Sequence, residues 1–133
     1  MTRALNDPAQ SLHLREDWLA RVRALEDQIA AWAVQQQWSV EQFDHPVQER
    51  LLGAYSAPAI RVRLTGGELE IIPVALNASG ADGRVDVKAY PTLSRVKLIG
   101  TAQGWQIMTD SNVPIRLPWT EETFVQLAHD LLA

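Results

Sequence analysis

Residues 60 to 71 read Ile-Arg-Val-Arg-Leu-Thr-Gly-Gly-Glu-Leu-Glu-Ile, an alternation of aliphatic and charged side chains broken once by paired glycines. Period-2 alternation sends successive side chains to opposite faces of a strand, and the glycines at the break supply a tight hairpin turn. With Gly66 and Gly67 as a two-residue loop, the expected register sets Thr65 opposite Glu68, Leu64 opposite Leu69, Arg63 opposite Glu70 and Val62 opposite Ile71. One face of the hairpin is then apolar and the other ionic. An antiparallel sheet with a single apolar side must cover that side with another layer and can leave the charged side in water.

The covering layer is legible upstream and downstream. Trp18, Val22, Leu25, Ile29 and Trp32 recur at spacings of four and three, with charged residues between them, the signature of one amphipathic helix. Asp7-Pro8-Ala9-Gln10 places a capping acid before a proline at the first helical position, and the periodicity carries the helix to about Gln37. At 1.5 Å per residue such a helix spans roughly 39 Å, more than the roughly 24 Å width of a five-stranded sheet, so it should overhang or bend. At the other end, Thr120 caps a short helix with Glu121 and Glu122 in its first turn, and Trp119 is placed to staple onto Phe124. Phe124, Leu127, Ala128 and Leu131 form its apolar stripe.

Between the helices, period-2 patterning predicts strands at about 59–65, 68–76, 84–90, 93–99, 104–109 and 113–117, with turns at 65–67, 77–83 and 101–104. Residues 38–58 fit neither period well; Gln48 to Tyr55 is compatible with helix or strand. The expected fold is α+β: an antiparallel meander of five to six strands packed against a long N-terminal helix and a short C-terminal helix. At 133 residues, the chain reads as a single domain over 1–133.

Composition narrows the function classes. There is no cysteine, which excludes disulfides, thiolate metal sites and thiol nucleophiles and points to a reducing compartment, hence a cytoplasmic protein. No segment has the roughly 18 consecutive apolar residues of a membrane span. The net charge of −4 is divided unevenly: residues 60 to 99 carry six basic and four acidic side chains, and the rest carry six basic and twelve acidic. A mildly basic sheet between acidic flanks makes nucleic acid an unlikely partner.

No cofactor, metal or catalytic constellation emerges. His13, His45 and His129 are far apart and lack a second ligand at metal spacing. The glycines mark turns, with no phosphate-binding loop among them. Asp86-Val87-Lys88 is an acid-x-lysine step with Glu68, Glu70 and Asp82 upstream, the minimal pattern of a Mg²⁺-dependent nuclease strand, but it is also what a solvated strand face produces. A curved sheet enclosing a small apolar ligand is a further alternative. The reading that best unites the observations is a small non-enzymatic protein-interaction module, such as an adaptor, an immunity-type partner or a client-specific chaperone. Its expected contact surface is Arg61, Arg63, Lys88, Tyr90, Arg95 and Lys97 on the outward sheet face. The overhanging helix adds a second expectation, a homodimer joined through Trp18, Val22, Ile29 and Trp32.

Overall fold

The computed structural model describes residues 8–76, 82–109 and 111–133. It is an α+β fold in two layers. Helix α1 (Pro8–Gln35) precedes β1 (Ser39–Glu49), β2 (Gly53–Leu64), β3 (Gly67–Ala75), β4 (Arg84–Tyr90), β5 (Arg95–Thr101), β6 (Gly104–Thr109) and β7 (Arg116–Pro118), and α2 (Glu121–Leu131) follows. The strands form one antiparallel sheet in the order β1-β2-β3-β4-β5-β6-β7. Seven strands replace the expected five to six because the stretch 39–59, which showed no single period, is also strand. The predicted Asp7 cap and the turn residues 77–81 lie outside the described residues.

The core forms between α1, α2 and the inward face of the sheet. Trp18, Val22, Leu25, Ile29 and Ala33 line one side of α1, and all are buried against inward side chains such as Ile60, Val62, Leu69, Ile71, Val87 and Leu98. At the same roughly 4.8 Å per strand, seven strands make this sheet about 34 Å wide, so it covers more of the helix than a five-stranded sheet would. Trp18, Val22 and Ile29 are 0% exposed within a single chain, and Trp32 packs against Trp119 and Phe124 at ring-centroid distances of 5.3 and 5.8 Å. The stripe expected to join two copies is therefore occupied by the chain's own sheet and second helix. Among the described residues of α1, the large aliphatics that stand exposed are Leu12 and Val34, one towards each end.

The end of α1 follows from its hydrogen bonds. Trp38 N donates to Ala33 O over 3.0 Å and Gln37 N to Val34 O over 2.9 Å, the paired pattern of a Schellman motif. Gln37 occupies the left-handed position of that motif with φ 65°, where glycine is the usual residue. The motif aims Trp38 at α2, where its ring meets Phe124 at 6.2 Å and His129 at 5.7 Å. α2 starts as the sequence indicates: Thr120 caps it through Thr123 N, with Thr123 completing a capping box. Trp119 packs on Phe124 at 5.7 Å and donates its indole N–H to Gln28 of α1 over 2.7 Å.

One charged side chain interrupts the apolar stripe. Glu26 is 2% exposed, and its Oε2 finds no hydrogen-bond partner among the described residues. Burial, reinforced by neighbouring Asp27 and opposed by Arg23, raises its carboxyl pKa to about 8, so at neutral pH the group is held mainly as the neutral acid.

The hairpin at residues 60–71 departs from the expected register by two residues. Leu64 pairs with Gly67, Arg63 with Glu68, Val62 with Leu69, Arg61 with Glu70 and Ile60 with Ile71, so the loop is Thr65-Gly66 instead of Gly66-Gly67. Gly66 supplies the positive φ of the turn, 100°. Gly67 belongs to the strand and is pressed against the next one: a Cβ there would lie 2.0 Å from the Tyr90 carbonyl oxygen. Because side chains alternate with period 2, a shift of two leaves every side chain on its expected face. Val62, Leu69 and Ile71 are fully buried and Leu64 half-buried, while Arg61, Arg63, Glu68 and Glu70 face outward.

β1 and β2 remain paired along their whole lengths, whereas β2 pairs with β3 only from Ile60 onward. Below that point, where Pro58 has no N–H to offer a neighbour, the two strands continue as a ribbon whose odd-numbered positions change sides. Arg61 and Arg63 point away from the core, but Ala59 and Ala57 are buried and the Tyr55 hydroxyl accepts a hydrogen bond from Trp18 Nε1 over 3.0 Å. The ribbon thereby wraps one end of the sheet around α1.

Candidate functional site

The face of the sheet turned away from the helices carries most of the charge that the sequence places between residues 60 and 99. The register arranges it in rows. One row crosses Glu41, Arg61, Glu70, Lys88 and Arg95 from β1 to β5; the next crosses Ile72, Asp86, Lys97, Met108 and Arg116 from β3 to β7. The expected residues Arg61, Arg63, Lys88, Tyr90, Arg95 and Lys97 all lie on this face, but they do not form one uniform surface.

At the β1–β3 end the charges neutralise one another. Arg61 meets Glu70 at 2.7 Å, Glu41 at 3.6 Å and Glu68 at 3.8 Å, and its guanidinium lies 4.7 Å from the Phe43 ring centroid. Arg63 meets Glu68 at 3.3 Å and Glu41 at 3.4 Å. Two guanidiniums thus share three carboxylates, and the hydrogen bond to Glu70 raises the pKa of Arg61 still further. On β4, Arg84 grips Asp86 through two hydrogen bonds of 2.8 and 3.1 Å.

The β4–β7 end differs. Among the described residues, no carboxylate lies within ion-pair distance of Lys88 or Lys97. The Lys88 ammonium sits 5.4 Å from the Tyr90 ring centroid, a cation–π contact on a half-buried side chain. Arg95 stands opposite Lys88 in the register. Arg116 completes the group from β7, with Nη1 donating to Gln106 Oε1 over 3.2 Å. Beside Lys88 and Arg95 opens a cleft of about 630 Å³ lined also by Leu93, Ser94, Val96, Thr109 and Ser111. In charge and shape this end suits an acidic group presented from outside.

The acid-x-lysine step lies on the same face, but its carboxylates are committed: Asp86 to Arg84, Glu70 to Arg61, and Glu68 to Arg63. Among the described residues no group of three His, Cys, Asp or Glu side chains could hold a metal ion. His13 forms an exposed i,i+4 contact with Asp17 at 3.3 Å, and His129 stacks edge-on against Trp38. No helix of the described residues is long and apolar enough to cross a membrane.

Sequence reasoning missed Arg116 and Leu93. Arg116 could have been found, since it alternates with Ile115 and Leu117 in the last predicted strand. Leu93 could not, because nothing in a sequence marks a leucine that adopts a left-handed backbone conformation.

A second group of polar side chains gathers where the β1–β2 ribbon meets α1. The Tyr55 hydroxyl donates a short hydrogen bond to Glu49 Oε2, and both Glu49 carboxylate oxygens accept from Leu76 N at 3.2 Å. Burial and the bond to Glu49 raise the pKa of the Tyr55 hydroxyl. Every polar group of this set has a partner within the chain, so its role is to clamp the ribbon to α1 and to the end of β3.

Comparison with known proteins returns no match: no family model fits the chain, and no curated protein or solved structure is significantly similar to it.

Proposed function

We propose that this chain is a non-enzymatic interaction module that binds an acidic segment of another protein on the β4–β7 end of its open sheet face. The observation that carries the reading is the division of the cations. Arg61, Arg63 and Arg84 are ion-paired with carboxylates of the sheet itself, while Lys88 and Lys97, with Arg95 and Arg116 beside them, form a basic end. Neutralised pairs give a surface little electrostatic pull; lysines with no carboxylate in ion-pair reach among the described residues, as Lys88 and Lys97 are, steer an oppositely charged ligand and fix its orientation.

A polypeptide suits this face better than a nucleic acid. The chain as a whole carries −4, and Glu68, Glu70 and Asp86 stand on the same face as the cations, a pattern that discriminates among side chains and repels a continuous phosphate backbone. The test is a titration of the protein with a 12-residue glutamate-rich peptide, monitored by amide NMR shifts, at low and at physiological salt. Shifts should concentrate on β4 to β7 and weaken as salt rises. An absence of shifts at low salt, or shifts confined to β1–β3, would contradict the reading.

A further inference from the structure

The sheet ends on a strand whose side chains alternate in chemistry as well as in direction. β7 is the last strand in the sheet order, and all three of its residues are exposed. Leu117 stands opposite Ile107 on the helix-facing side, whereas Arg116 stands opposite Met108, in the outward row that carries Lys97. Ile115 precedes them, so the edge presents an aliphatic, a cation and an aliphatic in turn. Ile115 and Leu117 are 56% and 39% exposed, and nearby Val113 is 76% exposed, which leaves an aliphatic strip in water along the edge. Arg116 donates to the neutral Gln106 amide oxygen and, among the described residues, has no carboxylate in ion-pair reach.

The backbone sets how a partner can lie there. Ile115 turns both its groups towards β6: its oxygen accepts from Thr109 N over 3.0 Å, and its N–H donates to Thr109 Oγ1 over 2.9 Å. Hydrogen-bonding direction alternates along an antiparallel strand, so Arg116 turns its N–H and C=O away from the sheet. On either side of it Pro114 and Pro118 carry no N–H, and the Pro118 oxygen already accepts from Thr123 Oγ1 over 2.7 Å. Continuous pairing with a long strand is therefore barred, and a single rung at Arg116 remains. We infer that β7 is a docking edge for a three-residue extended motif, an acidic residue between two aliphatic ones, within the partner's acidic segment. The acid faces the Arg116 guanidinium, the backbone closes the one rung, and the aliphatic side chains cover Ile115 and Leu117. The inference rests on the acidic-segment reading above and adds to it the motif that anchors the segment. Charge decides the occupant. Two copies of the chain joined along β7 would set two Arg116 side chains on one face of the seam, with no acid in residues 115–118 to offset them, whereas a carboxylate opposite Arg116 complements it.

Two 12-residue peptides of identical composition, glutamate-rich with two leucines in a Gly/Ser background, test it. One holds the leucines as Leu-Glu-Leu and the other as Leu-Leu-Glu, so total charge and apolar content are the same and only the alternation differs. The protein variant is Ile115→Thr/Leu117→Thr, which removes the exposed aliphatics and keeps β-branched side chains, so Tm should stay close to that of the parent. The parent should bind the Leu-Glu-Leu peptide about tenfold more tightly than its isomer, and the preference should vanish in the variant. In the parent alone, the Arg116 amide NMR signal should shift with the Leu-Glu-Leu peptide and stay in place with the isomer. Equal binding of the two peptides to the parent, or a preference that survives in the folded variant, would overturn the β7 motif while leaving the acidic-segment reading intact. Failure of both peptides to bind at low salt would overturn both. A free parent protein that sediments as a dimer, and that the variant converts to a monomer, would overturn the motif by placing a second copy of the chain on the edge.

Discussion

Trp18 on α1 and Tyr55 on β2, separated by 37 positions in the chain, are joined by an indole-to-hydroxyl hydrogen bond of 3.0 Å. That contact decides where the β1–β2 ribbon ends up. Tyr55 passes its own proton towards Glu49, and Glu49 holds Leu76 N at the end of β3. The helix, the ribbon and the end of the meander are thereby tied at one point.

Replacing Tyr55 with Phe keeps the ring and deletes the hydroxyl. Trp18 Nε1 and a Glu49 oxygen then lose their shared partner, and a buried group left unsatisfied costs about 1–3 kcal/mol. Urea denaturation of Tyr55→Phe should give a lower midpoint with an unchanged slope. An unchanged midpoint would mean that water replaces the hydroxyl without cost and that the clamp contributes nothing.

Glu26 makes stability depend on pH in a defined direction. Its carboxyl titrates near 8 in the folded protein against an ordinary value of 4.5, so between those limits the unfolded chain has released a proton that the folded chain keeps. Stability is fully retained below about pH 4.5 with respect to this group and declines as pH rises towards 8, by up to about 1.4 kcal/mol per pH unit. Glu26→Gln removes the titration. Its Tm should therefore exceed that of the parent increasingly from pH 5 to pH 8, and parallel Tm profiles for the two proteins would show that Glu26 is solvated.

Gln37 closes α1 in a conformation that glycine adopts without strain. Gln37→Gly should stabilise the fold by about 1 kcal/mol, read as a higher denaturation midpoint, because the relief of the left-handed geometry outweighs the added freedom of the unfolded chain. A lower midpoint would indicate that the exposed Gln37 side chain makes a compensating interaction.

Period and polarity sufficed to read the two helices and the strands from Ile60 onward. The faces of the 60–71 hairpin were legible although its register was not. Glycine pairs announce a turn without saying which glycine belongs to the strand, and here the close approach of Gly67 to the Tyr90 carbonyl decides it. The β1–β2 ribbon was illegible for a related reason. Ala59 and Ile60 are adjacent and both buried, because the ribbon turns as it leaves β3, so the alternation that marks a flat strand is broken where the structure bends. The charged face was visible as a list of residues, but its division was not. Only the cross-strand register shows that Glu41, Glu68 and Glu70 converge on Arg61 and Arg63, leaving Lys88 and Lys97 without carboxylate partners among the described residues. The helix stripe containing Trp18 and Ile29 could be matched equally to a sheet or to a second copy until the width of a seven-stranded sheet was known.

The division of the cations is tested most directly by comparing two variants against the same glutamate-rich peptide at low salt. Lys88→Glu/Lys97→Glu reverses charge at the basic end, and Arg63→Gln removes an exposed cation that the β1–β3 carboxylates already neutralise. The double reversal should weaken binding at least tenfold while Arg63→Gln leaves the dissociation constant within twofold of the parent. Equal losses in both, or full binding by the double reversal in a folded protein, would contradict the assignment of the β4–β7 end as the binding surface.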